Sequence, residues 1–289
     1  MSARFEPIEI FEISKLALIP SKLTFSSPYN IRYYKLELFR LLTGISSFKC
    51  LINNDIVIQR NNFSVIPFKF NKNLNYRIGR YISTNPILMQ KKLTNNENRG
   101  FYDEILNEFY CYFYEINLNN HTNGFLHLYR ILERIAIALP LVYAACNNNY
   151  KGIYSDWKKF INDEKTGELK VIQKFISSFV DNTILDQTFD IDIKNMPNNW
   201  HENHFNAFLK LKGFQSSIPY NKITYKYNDL IELTIKIRNS YFHALTGANN
   251  SFNANEIISS SHFFKVINPF ICNWLSFLII KILKMEINR

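Results

Sequence analysis

Glycine and proline are scarce in this chain, eight and nine among 289 residues. So few glycines leave little material for loops that cradle nucleotide phosphates. Neither G-x-x-x-x-G-K-[ST] nor G-x-G-x-x-G occurs, so ATP and NAD chemistry have no support. Cysteine is scarce too. Cys50, Cys111, Cys146 and Cys272 stand far apart with no C-x-x-C pair, the pattern of reduced thiols in a cytoplasmic protein rather than a disulfide framework or a zinc site. The usual metal motifs are missing. His201-Glu202-Asn203-His204 spaces its histidines i, i+3 and so is not H-E-x-x-H, and no third ligand is evident nearby. Asp190-Ile191-Asp192 lacks the second carboxylate cluster that a two-metal nuclease needs. No metal and no cofactor is therefore expected.

Long apolar runs are missing as well. The greasiest stretch, residues 266–280, contains Asn268, Pro269 and Asn273. It is too short and too interrupted to cross a bilayer, and it is read as a buried core helix. Residues 1–7 carry an acid and no apolar h-region, so no secretory signal is expected there. These absences predict a cytoplasmic protein with no membrane partner.

What the chain does have is apolar and aromatic mass, 47% and 16% of its residues. That is enough for a substantial core and argues against global disorder. It also has a formal net charge of +10 and a pI near 9.3. Basic composition on its own is common, but lysine and arginine contacts to phosphates provide sequence-independent affinity, which favours a polyanionic partner. Aromatic–basic mixtures such as Tyr225-Lys226-Tyr227 and Phe68-Lys69-Phe70 suit base stacking. They suit amphipathic strands or loops equally well.

The polar run Asn95-Asn96-Glu97-Asn98 divides the chain into two predicted domains. Residues 1–95 have mixed α/β character. Asp55-Ile56-Val57-Ile58-Gln59-Arg60 and Ser64-Val65-Ile66-Pro67-Phe68 are predicted as short strands around an Asn61-Asn62 turn, and residues 33–42 as a helix. Residues 96–289 carry helical periodicity. Helices are predicted near 101–118, 125–145, 153–163, 168–181, 201–212, 229–246 and 261–285, with Pro140 bending or ending the second. The fold class is mainly α, with a smaller mixed α/β amino-terminal domain.

The sharpest local pattern is Arg238-Asn239-Ser240-Tyr241-Phe242-His243, in a segment spanning 228–247 that reads as a helix. Asp229 and Glu232 stand three apart like a capping box, and Gly247 sits where a C′ residue belongs. On a helical wheel Leu230, Leu233, Ile237, Tyr241 and their neighbours form one apolar arc, and Arg238 falls in its middle. A guanidinium there needs a carboxylate or phosphate partner, or a packed stem with its head in water. Glu133 is the candidate carboxylate because it follows an apolar stripe. A surface pair of Glu133 with Arg130 or Arg134 is the alternative. His243 follows Arg238 by five residues, about 140° around an ideal helix, so the two do not share a face; they converge if the helix loosens near Asn239 or if two protomers contribute to one site. In the last turn, the negative end of the helix dipole favours imidazolium; a solvated surface histidine is the alternative. Together the two residue types suffice for RNA cleavage without a metal. Histidine can carry the proton of a ribose 2′-OH near neutral pH, and arginine can stabilise charge on the pentacoordinate phosphorus.

This stretch resembles the R-N-x-x-x-H form of the R-x4-6-H motif of HEPN-family ribonucleases. Phe125-Leu126-His127-Leu128-Tyr129-Arg130-Ile131-Leu132-Glu133-Arg134 is similar to the early HEPN helix with its Tyr-Arg-x-x-Glu pattern. The resemblance covers about residues 100–285, with a long insertion before the motif helix. It implies a HEPN-like helical bundle in which Arg238 and His243 are catalytic, with Asn239, Ser240, Tyr241 and Glu133 in support. It implies a metal-independent endoribonuclease acting through 2′-OH attack on RNA, and a homodimer whose paired motifs line a cleft at the two-fold axis. It further implies a toxin or anti-phage abortive-infection role, with an antitoxin or a phage-derived trigger and residues 1–95 as the control element. Leu245 stands where some members carry tyrosine in an extended R-x4-H-x-Tyr form, so a tyrosine-dependent variant of the site is not expected. The alternative from another class is a catalytically silent helical module that binds RNA or a protein.

Overall fold

The computed structural model describes residues 4–8, 32–44, 46–67, 86–146, 149–161, 172–173, 175–176, 179–194, 196–242, 251–252 and 256–288. In chain order the elements are β1 (Phe5–Ile8), α1 (Tyr34–Leu42), β2 (Ser47–Cys50), β3 (Ile56–Ile58), α2 (Pro86–Leu93), α3 (Arg99–Asn117), α4 (His121–Cys146), α5 (Tyr150–Ile161), α6 (Asn182–Leu185), β4 (Thr188–Asp192), α7 (Asn198–Leu211), β5 (Ser216–Ile218), β6 (Lys222–Lys226), a 3₁₀ turn (Tyr227–Asp229), α8 (Leu230–Phe242) and α9 (Ser260–Asn288). The protein is mainly helical, with small antiparallel sheets.

Helices α3, α4 and α9 form the centre. Helix α3 buries Tyr102, Ile105, Leu106, Phe109 and Phe113, the i, i+3, i+4, i+7 spacing of one helical face. A three-residue connection turns the chain into α4, which lies back against α3. Helix α4 continues past Pro140 instead of ending there. Leu139 and Pro140 are both buried, and this packing offsets the roughly 3 kcal/mol that an interior proline costs.

Helix α9 is longer than its apolar run predicts. It extends over 29 residues and, by length and composition alone, is apolar enough to cross a membrane, yet 78% of its most apolar window is buried inside the protein. Every residue from 271 to 280 is buried, as befits a helix enclosed on all sides. The asparagines that interrupt its sequence serve as anchors. The Asn268 amide donates to the His121 carbonyl at 2.8 Å. Asn273 donates to the carbonyls of Phe63 and Val65 at 2.6 and 2.9 Å, and accepts from the Tyr227 hydroxyl at 3.0 Å.

The amino-terminal sheet is antiparallel in the order β1-β2-β3. Phe5 and Phe48 sit edge to face at 5.5 Å, and Phe48 lies 4.6 Å from Tyr110 of α3. The core is therefore continuous across residue 95. Asn95 and Asn98 are stitched into it: Lys35 donates to Asn95 at 2.9 Å and pairs with Glu286 at 2.8 Å, and Asn98 donates to Glu286 at 3.2 Å.

Several predicted elements differ. The expected strand at 64–68 is a turn over 64–67, and Phe68 lies outside the described residues, as do Lys69 and Phe70. The Asn62 carboxamide accepts from both the backbone N–H and the hydroxyl of Ser64 at 3.0 and 2.6 Å, which curls the chain as Asx turns do. Strand β3 pairs with β2 instead. Most of the helix predicted at 168–181 lies outside the described residues, and α2 was not anticipated. Neither was the second sheet, antiparallel in the order β4-β6-β5. Phe189 and Ile191 of β4 face inward with Ile223 and Tyr225 of β6. The alternation of Asp190 and Asp192 is the outer-face half of that pattern.

Candidate functional site

Helix α8 carries the Arg238 motif, and its entry is rigidly held. Tyr227 in the preceding turn is buried between Phe189 at 5.2 Å and Trp274 at 5.7 Å, with its hydroxyl on Asn273. Asp229 closes the 3₁₀ turn rather than standing outside the helix as a cap, and Gln215 donates to it at 3.5 Å. Burial, followed by the charge of Glu232, pushes the Asp229 carboxyl up. The inner side of α8 buries Leu230, Ile231, Leu233, Thr234, Ile237 and Ser240. On the outer side Lys236 pairs with Glu232 at 2.7 Å. At the far end Phe242 stacks on Phe125 of α4, centroids 6.0 Å apart and planes 7° apart. Tyr241 stands edge-on to Phe264 at 5.1 Å, and the Ser240 carbonyl accepts from the Phe252 N–H at 2.8 Å.

Arg238 is half-buried. Its guanidinium lies 5.2 Å over the Tyr129 ring of α4, and Nη1 donates to the Asn239 carboxamide at 3.2 Å. The expected Arg238–Glu133 ion pair is not formed among the described residues. Glu133 is exposed one turn farther along α4, and its charge bears on Tyr129. The surface alternative is not formed either. Arg134 pairs with Glu104 and reaches Glu108 at 3.8 Å, while Arg130 reaches Glu108 at 3.9 Å. The physical reason is the ring. A partly desolvated cation over an aromatic face gains about 0.5–2 kcal/mol, and a half-exposed head keeps part of its hydration, so no carboxylate is required. Burial holds the Tyr129 phenol above its ordinary range, with Arg238 opposing that shift and Glu133 adding to it.

Chemically, this geometry leaves guanidinium N–H edges beyond the Nη1–Asn239 bond without a hydrogen bond among the described residues. Those edges match two phosphate oxygens in a fork that an ammonium lacks. Tyr129 is the site residue that sequence reasoning missed. Its signal was present in the Tyr-Arg-x-x-Glu pattern, in which the glutamate is the expected charge partner. Asn239 is exposed beside Arg238, whereas Ser240 and Tyr241 turn toward the protein and support the helix. His243 and Leu245 lie outside the described residues, as does Gly247.

The other titratable clusters are structural. His204 is fully buried, its Nδ1 2.9 Å from the Met196 sulfur and its ring edge-on to Phe263. His262 packs against Trp200 at 4.6 Å and meets the Ser259 hydroxyl at 3.0 Å. Among the described residues no three histidines, cysteines or acids gather to hold a metal ion. Asp190 takes hydrogen bonds from Lys222 and Thr224 at 2.6 Å each, an ordinary cross-strand arrangement. His127 meets Glu108 at 2.7 Å and ties α4 to α3.

Two buried histidines, His121 and His204, make stability sensitive to acid. Burial pushes His121 and His204 down to about 4, with the charges of Lys265 and His262 adding at His121 and that of His262 adding at His204. Between pH 6.5 and 4 the unfolded chain binds protons at these positions and the folded chain does not, so stability falls as pH falls through that window. The expected loss is about 2–3 kcal/mol per histidine by pH 4. Urea unfolding at pH 7 and pH 4.5 checks it. His204→Gln should flatten the pH slope, and an unchanged slope would contradict the assignment.

The chain matches no known family model, no curated protein and no solved structure.

Proposed function

We propose that this protein is a metal-independent endoribonuclease of the HEPN type, with Arg238 and His243 as its catalytic pair. The observation that carries the reading is the Arg238 guanidinium, held half-buried over Tyr129 with no carboxylate on it among the described residues. A cation so positioned, with N–H groups besides the Nη1 bonded to Asn239, suits a phosphodiester. The net charge of +10 favours the same polyanion. The packing of α3, α4, α8 and α9 is compatible with a HEPN-like bundle.

In this reading the ribose 2′-OH attacks the adjacent phosphorus and the 5′-oxygen leaves. His243 moves the proton, and Arg238 stabilises the charge that develops on the phosphoryl oxygens. The functional unit is a homodimer in the cytoplasm, and the setting is a toxin or anti-phage system with an antitoxin or phage-derived trigger. That setting rests on the sequence resemblance alone.

The test is incubation of purified protein with total RNA in the presence of EDTA. Cleavage should persist and leave a 2′,3′-cyclic phosphate and a 5′-OH. RNA carrying 2′-O-methyl groups should bind yet resist cutting. Cleavage of DNA or of 2′-O-methyl RNA at comparable rates would refute the chemistry. A gel shift without cleavage would instead identify a silent RNA-binding module.

A further inference from the structure

We propose that the open pocket between the carboxy-terminal ends of α4 and α9 binds a phosphate monoester carried on an apolar or aromatic body, the chemistry of a nucleoside monophosphate. The pocket has a volume of about 360 Å³ and is lined by Cys146, Phe179, Lys281, Lys284, Met285 and Asn288. That volume lies within the range of small-molecule sites. The pocket shares no residue with the Arg238 site, so the proposal does not rest on the ribonuclease reading.

Charge is the first argument. Lys281 and Lys284 are three residues apart and so share one face of α9. Lys281 is half-buried, with its ammonium 5.6 Å from the centre of the Phe277 ring, and it forms no ion pair among the described residues. Burial, then the like charge of Lys284, pushes the Lys281 ammonium down, while Asp181 opposes that shift. Lys284 stands just over one turn before the end of α9, at the edge of the reach of the helix dipole. Lys281 is two turns from that end and has no such reason to be there. An anion between the two ammoniums opposes their repulsion and favours the charged form of Lys281.

The remaining wall sets the class of anion. Phe179 and Met285 are half-buried and apolar. A ring on the ligand gains area against them, together with sulfur–aromatic contact from Met285. The Asn288 carboxamide supplies one donor and one acceptor for a polar ring edge. Inorganic phosphate uses the lysines only, and a nucleoside uses the apolar wall only. A nucleoside monophosphate uses both.

Calorimetric titration of the full chain with AMP, adenosine, inorganic phosphate and a 5′-phosphorylated 2′-O-methyl trinucleotide tests this. AMP should bind at least about tenfold more tightly than adenosine or phosphate, and Lys281→Gln/Lys284→Gln should weaken it by about tenfold or more. Binding of the trinucleotide but not of AMP would assign the same phosphate chemistry to an RNA end. In unaltered protein, AMP or the trinucleotide should also slow acetylation of Lys281 by acetic anhydride, read by mass spectrometry. Failure of every phosphate-bearing probe to bind, absence of protection at Lys281, or unchanged affinity in the double variant overturns the proposal.

Discussion

His243→Ala is expected to lower RNA turnover by about 10²–10⁴-fold while leaving RNA binding nearly intact, the loss typical of a removed general acid–base group. Arg238→Ala should likewise lower kcat more than it weakens binding, because its charge matters most where the phosphoryl group gains charge. Arg238→Lys should recover little: the ammonium keeps the charge but loses the planar fork, whose carbon lies 5.2 Å from the Tyr129 ring centre. Arg238 and His243 are about 140° apart on an ideal helix, and in the proposed homodimer, which the resemblance implies, a shared site draws one residue from each protomer. Mixing Arg238→Ala with His243→Ala protein should then restore about a quarter of normal activity, since about half of the dimers regain one intact site of two. Single-turnover cleavage assays with EDTA read all of these outcomes. A fully active His243→Ala protein would remove the assigned mechanism, and failure of the mixture would remove the composite site but leave the residues.

Asn273→Ala is expected to destabilise the fold by about 3 kcal/mol, a large effect for one small polar side chain. The residue is fully buried in α9 and holds three groups from two distant segments. Without it the Tyr227 hydroxyl and the Phe63 carbonyl lose partners in a region with little water to replace them. Asn273→Leu should do no better, because filling the space restores none of the three hydrogen bonds. Tyr227→Phe should cost only about 1 kcal/mol, since it removes one donor and keeps the ring between Phe189 and Trp274. Urea unfolding with an unchanged m-value checks the series. A loss below about 1 kcal/mol for Asn273→Ala would show that the network is not a stabilising anchor.

Local periodicity was enough to locate the long helices. The apolar spacing in α3, α4, α8 and α9 is a property of consecutive residues, and those helices formed within a few residues of their predicted limits, apart from the described end of α8 at Phe242. Short strands with distant partners were much less legible. Strand β4 pairs with β6 more than thirty residues later, Asp190 opposite Thr224, and its five residues were read as a pair of acids. At Pro140 the local rule was overridden: burial against the core holds the helix together where a breaker would end it.

The candidate site divides in the same way. The residue types and spacing of 238–243, and the apolar arc around Arg238, are written in the chain and were enough to single out that helix. The partner of Arg238 is not. An apolar environment demands a compensating group, and the sequence offered Glu133 as the acid within the right helix. Only the packing of α8 on α4 decided that Tyr129 lies beneath the guanidinium and that Glu133 points outward. The pocket between the ends of α4 and α9 was equally invisible, because Cys146 and Lys281 are 135 positions apart in the chain. Helix formation depends on neighbours three and four residues away, and a sequence records these directly. Which helix faces meet depends on how the whole core closes, and that is settled only in three dimensions.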